Sequence, residues 1–339
     1  MEEVLISVIM PVYNCAPYIE QAVNSILNQT LTSFEFLIID DASTDKTAEI
    51  IQRIEDSRIK LIIKQKNSGY TNSLNMALSL AKGKYIARMD GDDFSYPERF
   101  TSQVDFLEKN EDISIVGSSF CIMNSNKRVS HPTSSEECKV RLLHSTVLGH
   151  PTVMLRRQFL SDFNLQYDAS KESTEDYDLW VRASAVGNIS NVPEVLLDYR
   201  VHESQVSVLR KQLQSDIADQ VRLQYAKVHF NDLIQGKESL YLKFVTNAIT
   251  DFESYLLCKE LAAQLIEHNA RHRNFNGEYF ELFIQELVGA VAAKFYVKCI
   301  DKRMFVLFHA LNDRQFYHSI SFQRKVLFLL KIIKRSVLS

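Results

Sequence analysis

Over its first ninety residues the chain alternates short apolar runs with amphipathic stripes, and this alternation confines it to a sheet fed by crossover helices. Residues 5–10, 34–39, 59–63 and 85–89 read as strands, each five or six residues of mostly apolar side chains. Between them Ile19, Val23, Ile26 and Leu27 share one helical face; Ala48, Ile50, Ile51 and Ile54 share a second, and Leu74, Leu78 and Ala81 a third. Pro11 stops the first strand and Pro17 lies near the first turn of the helix that follows. The expected class is α/β, an open and mostly parallel sheet flanked by helices. From about Ser207 the pattern becomes nearly unbroken helical periodicity, so a helical C-terminal region over 208–339 is expected to follow an α/β domain over 1–207.

A parallel sheet presents the carboxyl ends of its strands along one edge, where ligands bind. Acidic residues follow two of these strands: Asp40 and Asp41 after the second, and Asp90-Gly91-Asp92-Asp93 after the fourth. Three carboxylates within four residues repel one another unless a cation or solvent relieves them. Oxygen ligands on a turn suit Mg²⁺ or Mn²⁺, which share their coordination shell with substrate phosphates. The plainer alternative is a solvated acidic turn that caps a helix near Tyr96-Pro97-Glu98.

Composition narrows the partners. The formal charge of -3 is spread along the chain with no basic arm, which argues against nucleic acid as a partner and leaves a nucleotide open. Five scattered cysteines without a Cys-x-x-Cys pair read as reduced thiols, the usage of a cytoplasmic protein. The acidic start Met1-Glu2-Glu3 and the missing cleavage signal predict no signal peptide, and the best membrane candidate, 287–300, is interrupted by Lys294 and Lys298. Residues 323–335 mix apolar side chains with a basic flank. They read either as a peripheral contact with the inner face of an anionic membrane or as a last helix packed on the domain.

Taken in order, Ile6-Ser7-Val8-Ile9-Met10-Pro11-Val12-Tyr13-Asn14, Ile38-Ile39-Asp40-Asp41-Ala42-Ser43-Thr44-Asp45, Asn67-Ser68-Gly69 and Arg88-Met89-Asp90-Gly91-Asp92-Asp93 closely resemble the inverting family 2 glycosyltransferases. His150-Pro151-Thr152-Val153-Met154, Thr174-Glu175-Asp176-Tyr177-Asp178-Leu179-Trp180 and Tyr199-Arg200-Val201-His202 continue the likeness to about residue 207. The resemblance implies a GT-A fold, a nucleotide-sugar donor, a saccharide or lipid-linked acceptor, and Mn²⁺ or Mg²⁺ as cofactor. It implies that Pro11, Tyr13 and Asp41 line the nucleotide pocket, with Asp41 accepting from the base, and that Asn67, Gly69, Arg88 and Asp90 border the donor. Asp90 and Asp92 would hold the metal, His202 would add a ligand that Mn²⁺ accepts, and His150 would face the acceptor.

Glu175-Asp176 resembles the family's acidic pair whose second member is the base, so Asp176 would take the proton of the acceptor hydroxyl as it attacks the anomeric carbon. The stereochemistry would invert. A carboxylate at a helix start is kept ionised by the helix dipole, which suits that task. Structural alternatives stand beside these roles: Tyr13 as a packing aromatic, Asp41 as a helix cap, Asp176 as an N-terminal helix carboxylate without chemistry, Arg88 as the partner of an acid in the sheet, His202 as a polar surface residue, and His150 as a cap before Pro151. The chain departs from many relatives in carrying Leu74, where they have Arg before the residue matching Asn75. Two other functions compete. A sugar nucleotidyltransferase would start with a Gly-rich phosphate loop, which Pro11-Val12-Tyr13-Asn14 lacks; an inactive sugar-nucleotide binder would need neither Asp92 nor Asp176. No Gly-x-Gly-x-x-Gly supports a dehydrogenase.

Overall fold

The computed structural model of the chain describes residues 4–125, 127–202, 211–249 and 251–299. It divides into two compact units after Val221. The first is an α/β unit on a nine-stranded sheet. Strands β1 (Ile6–Val12), β2 (Phe34–Asp40), β3 (Ile59–Ile63) and β4 (Tyr85–Arg88) are parallel in the order β3-β2-β1-β4. Helices α1 (Ile19–Leu27), α2 (Thr47–Gln52) and α3 (Tyr70–Leu80) make the crossovers. Every residue of β1 and β2 is buried, as strands covered on both faces must be. Ile6, Val8 and Met10 join Phe34, Phe36, Ile38 and the α1 residues Ile19, Ala22, Val23 and Ile26 in one core; Ile9, Leu37 and Ile39 point to the opposite face, where α3 packs.

Beyond β4 the sheet turns mixed. Strand β5 (Phe94–Ser95) and helix α4 (Arg99–Lys109) lead into β6 (Ile113–Ile122), and β7 (Arg128–Val129) pairs with β6 alone. Helix α5 (Ser135–Arg141) then precedes β8 (Met154–Arg156), which inserts antiparallel between β4 and β6, with Met154 opposite both Ala87 and Val116. Helices α6 (Arg157–Asp162) and α7 (Glu175–Ser184) precede the long β9 (Asn188–Tyr199). Irregular pairing bends β9 along β6 until its end lies against β5, with Phe94 opposite Asp198. That bend returns the chain to the turn after β4, and it is how residues 92 and 202 come to touch.

The second unit is helical, as the periodicity predicts. A helix over Lys211–Ile234 begins before the division, and Glu238–Val245, Phe252–His272 and Gly277–Cys299 follow it. Asp251 caps the third of these, accepting from Ser254 N at 2.7 Å, and Tyr241, Phe244, Leu261, Leu265, Phe280 and Ile284 are buried. No helix among the described residues is long and apolar enough to cross a membrane. The basic segment 323–335 lies outside the described residues.

Candidate active site

The turn after β4 carries the acidic cluster. Asp90, Asp92 and Asp93 bring one carboxylate oxygen each within 4.8 Å of one another. Asp90 is gripped at both oxygens by the Arg88 guanidinium, at 2.6 and 2.7 Å, and its Oδ1 also accepts from the Tyr70 hydroxyl at 3.1 Å. Burial raises its carboxyl to about 6, although Arg88 pulls the other way. Asp93 is fully buried; its Oδ1 accepts from Arg200 N at 2.8 Å, while Oδ2 has no hydrogen-bond partner. Asp92 Oδ2 lies 2.9 Å from His202 Nε2. An oxygen set with one orphaned buried acceptor, Asp93 Oδ2, fits a hard divalent cation, and Asp90, Asp92 and Asp93 are the carboxylates that would hold it, with His202 beside them on Asp92. Gly91 is required by close approach: a methyl group there would stand 2.8 Å from Val12 Cγ1 and 3.3 Å from Cys15 Sγ.

Along the same edge, Asp41 follows β2. It is not a helix cap: the first turn of α2 is served by Asp45, whose Oδ1 accepts from Thr47 N at 2.9 Å. Asp41 instead binds the segment before α3, accepting from Ser68 N at 3.0 Å and Gly69 N at 2.9 Å and pairing with Lys64 at 2.5 Å. Asn67 folds back through its side chain to the same Gly69 N–H at 3.1 Å. Gly69 has φ +93°, a conformation that only glycine adopts without strain, and it starts α3. The next residue is Tyr70, so the Asp41 clamp and the Asp90 turn are joined through one helix start. Pro11 is buried within β1, whereas Tyr13 beyond it is 46% exposed, so Tyr13 is not a packing aromatic.

The second acidic pair begins α7. Burial raises Asp176 to about 6 and Glu175 to about 7, and Asp176 adds to the rise at Glu175 by repulsion. The amide of Tyr177 and the Arg88 guanidinium oppose the shift at Asp176, and the Asp90 charge reinforces it. Asp176 and Asp90 therefore lie in one electrostatic neighbourhood with Arg88 between their influences. Glu175 Oε2 is buried without a hydrogen-bond partner, and Ser173 just before the pair holds φ +81°. His150, in a 3₁₀ turn, bonds the Tyr167 hydroxyl at 3.0 Å and packs edge-on to Tyr70 and Trp180. Burial, then Arg88, push its pKa well down, so its ring is neutral.

Arg88 is thus the partner of an acid, and the departing Leu74 is fully buried, packed rather than facing a ligand. Asn75 beside it holds both Tyr167 N at 3.0 Å and Tyr167 O at 2.8 Å. Four neighbours of the site escape the sequence reading: Lys64, Tyr70, Tyr167 and Arg200. Lys64 is a cation just past a strand on the ligand edge, a signal that could have found it; Tyr167 carries none, since its partners Asn75 and His150 lie far from it in the chain.

A mixed α/β sheet with two acidic turns on its carboxyl edge is the architecture of a ligand-binding α/β domain. The chain belongs to glycosyl transferase family 2, whose profile matches residues 7–164. A UDP-Glc:alpha-D-GlcNAc-diphosphoundecaprenol beta-1,3-glucosyltransferase of Escherichia coli, WfgD, is 32% identical over 210 residues, covering 61% of this chain and 81% of its own. Among solved structures, Staphylococcus aureus TarS 1–349 in complex with UDP-GlcNAc aligns with TM-score 0.55 at 18% identity over 86% of this chain and 93% of its own. The mannosyltransferase PcManGT from Pyrobaculum calidifontis, in complex with GDP-Man and Mn²⁺, aligns with TM-score 0.51 at 16% identity, covering 85% and 86%. The fold is GT-A-like with a helical C-terminal region.

Proposed function

We propose that this glycosyltransferase moves a hexose from a nucleoside-diphosphate sugar to an acceptor hydroxyl with inversion, assisted by Mn²⁺ or Mg²⁺. The observation that carries the reading is the run of contacts from the acidic turn to the start of α7: Asp90 accepts from the Tyr70 hydroxyl, Tyr70 packs on His150, and His150 packs on Trp180 of the helix that Glu175 and Asp176 begin. Asp176 Oδ takes the acceptor's proton, the acceptor oxygen bonds to the anomeric carbon, and the bond from that carbon to the diphosphate oxygen breaks on the opposite face. With its acid raised to about 6, Asp176 is ionised at neutral pH and is basic enough to hold the proton. A bound cation would offset the charge on the departing diphosphate. Asp41 takes the base, Pro11, Tyr13, Asn67 and Gly69 border the donor, Arg88 holds Asp90 in place, and neutral His150 faces the acceptor. Residues 1–207 carry these roles.

The glucosyltransferase WfgD, by its name, acts on UDP-Glc and a diphosphoundecaprenol-linked sugar, and TarS binds UDP-GlcNAc. These favour a UDP-sugar donor and a saccharide or lipid-linked acceptor in polysaccharide assembly at the cytoplasmic side of the envelope. The Mn²⁺ in the mannosyltransferase complex favours the cation, and the free thiols Cys15, Cys121, Cys138 and Cys258 favour the cytoplasm. The test is nucleotide release across UDP-, GDP- and dTDP-sugars with Mn²⁺ or Mg²⁺, with chelator, and with Asp176→Asn. Loss of general-base catalysis lowers turnover by about 10²- to 10⁴-fold. Turnover by Asp176→Asn at the wild-type rate removes the base assignment, and full activity in chelator removes the cation.

A further inference from the structure

Arg200, the first of the two residues between the end of β9 and His202, is engaged through its backbone and its guanidinium. Arg200 N donates to Asp93 Oδ1 at 2.8 Å, and Arg200 Nε donates to the Asp92 carbonyl at 2.7 Å. One terminal nitrogen donates to Gln21 Oε1 of α1 at 2.6 Å. The face of the guanidinium lies 4.7 Å over the Tyr18 ring, and that ring also packs against His202 at 4.8 Å. Arg200 therefore joins three pieces of chain: the acidic turn, the first turn of α1 and the strand end that carries His202.

We infer that Arg200 is a positioning residue for the cation site, a clasp that fixes the Asp92–Asp93 turn and His202 at the separation a cation needs. The inference rests on the cation reading above. A guanidinium is suited to it because its donors are planar and pre-set, so binding the Asp92 carbonyl, Gln21 and the Tyr18 face at once leaves little freedom of rotation. Lysine keeps the charge and cannot make the fork. The bond from Arg200 N to Asp93 belongs to the backbone and is open to every residue except proline, so the side-chain variants chosen isolate the contribution of the guanidinium. Groups that orient metal ligands characteristically set metal affinity by about 10- to 100-fold.

The experiment titrates Mn²⁺ alone into the full chain, without donor, and reads free Mn²⁺ by electron paramagnetic resonance. The proteins are wild type, Arg200→Met, Arg200→Lys and Gln21→Leu, with a melting curve of each recorded in chelator. The expected result is Mn²⁺ binding weakened at least about tenfold in Arg200→Met, partly recovered in Arg200→Lys, and weakened severalfold in Gln21→Leu, which keeps the guanidinium and removes its outer anchor. Should Arg200→Met fail to fold, Gln21→Leu decides alone. Unchanged Mn²⁺ affinity in the folded variants, even with a lowered melting temperature in chelator, overturns the inference and leaves a structural role. Absence of Mn²⁺ binding by the wild type, both alone and in a second titration with UDP added, overturns the cation site itself and the inference with it, a failure recognisable because no variant is needed to see it.

Discussion

Replacing Asp41 by Asn tests the clamp at the nucleotide edge without touching the acidic turn. The Asp41 side chain is 4% exposed and its partner Lys64 14%, and the carboxylate also receives the Ser68 and Gly69 amides. Asparagine keeps the volume and removes the charge, and its NH₂ faces donors on one side. Breaking a buried pair costs about 3–5 kcal/mol when the remaining charge is stranded. Lys64 is only partly stranded, because Nζ still reaches the Ser73 hydroxyl at 3.0 Å, which places the loss near the lower bound, about 3 kcal/mol. For a unit of this size each kcal/mol moves the melting temperature by about 2–4 °C, so a fall of about 6–12 °C is expected. Thermal unfolding followed by circular dichroism reads it. The double variant Asp41→Asn/Lys64→Met should lose less than the sum of the single losses, with about 1–2 kcal/mol of coupling. Melting of Asp41→Asn within about 2 °C of wild type, or additive losses in the double variant, refutes the clamp.

The pH dependence of kcat/KM should rise through about pH 6 and level off above pH 7, because Asp176 and Glu175 are raised to about 6 and 7 and the base works only without its proton; a flat profile from about pH 5 to 8 contradicts the assignment. Gly91→Ala drives a methyl group to 2.8 Å from Val12 Cγ1, so the acidic turn shifts and Mn²⁺ binding measured by calorimetry weakens, at an overpacking cost of about 1–3 kcal/mol. Wild-type Mn²⁺ affinity in that variant means the turn has room to spare. Gly69→Ala meets no atom closer than 3.6 Å, so its loss of about 1–3 kcal/mol comes from φ +93° alone and should appear in denaturant titration as a lower midpoint at unchanged slope.

The parallel half of the sheet was legible because β1 and β2 are buried on both faces and so had to be written as unbroken apolar runs. The mixed half was not. Strand β8 is three residues long, follows a 3₁₀ turn and pairs with two strands that lie far from it in sequence, so neither period nor length announces it. The acidic residues were readable because carboxylates in a row are unfavourable and need a reason. What Asp41 does with its charge was only partly readable, since two of its three partners are the backbone amides of Ser68 and Gly69, which no residue type reports, and only Lys64 is a side chain. Helix α2 ends at Gln52, and Ile54, the last residue of its expected stripe, lies past the helix end with its amide donating to Ile51 O at 3.1 Å. Arg88 shows the limit from the other side: an arginine beside an acidic turn fits a phosphate contact and an ion pair equally well until coordinates put both nitrogens on Asp90.

The carboxamide of Asn75 grasps residue 167 by its main chain, at both the N–H and the C=O, in the manner of a neighbouring strand. Such a grip is blind to side chains. At position 167 this anchorage therefore tolerates any residue but proline, and Tyr167→Phe keeps it while depriving His150 of its hydroxyl partner. Main-chain hold and side-chain contact are thus separable at this residue, the first set by Asn75 and the second by His150.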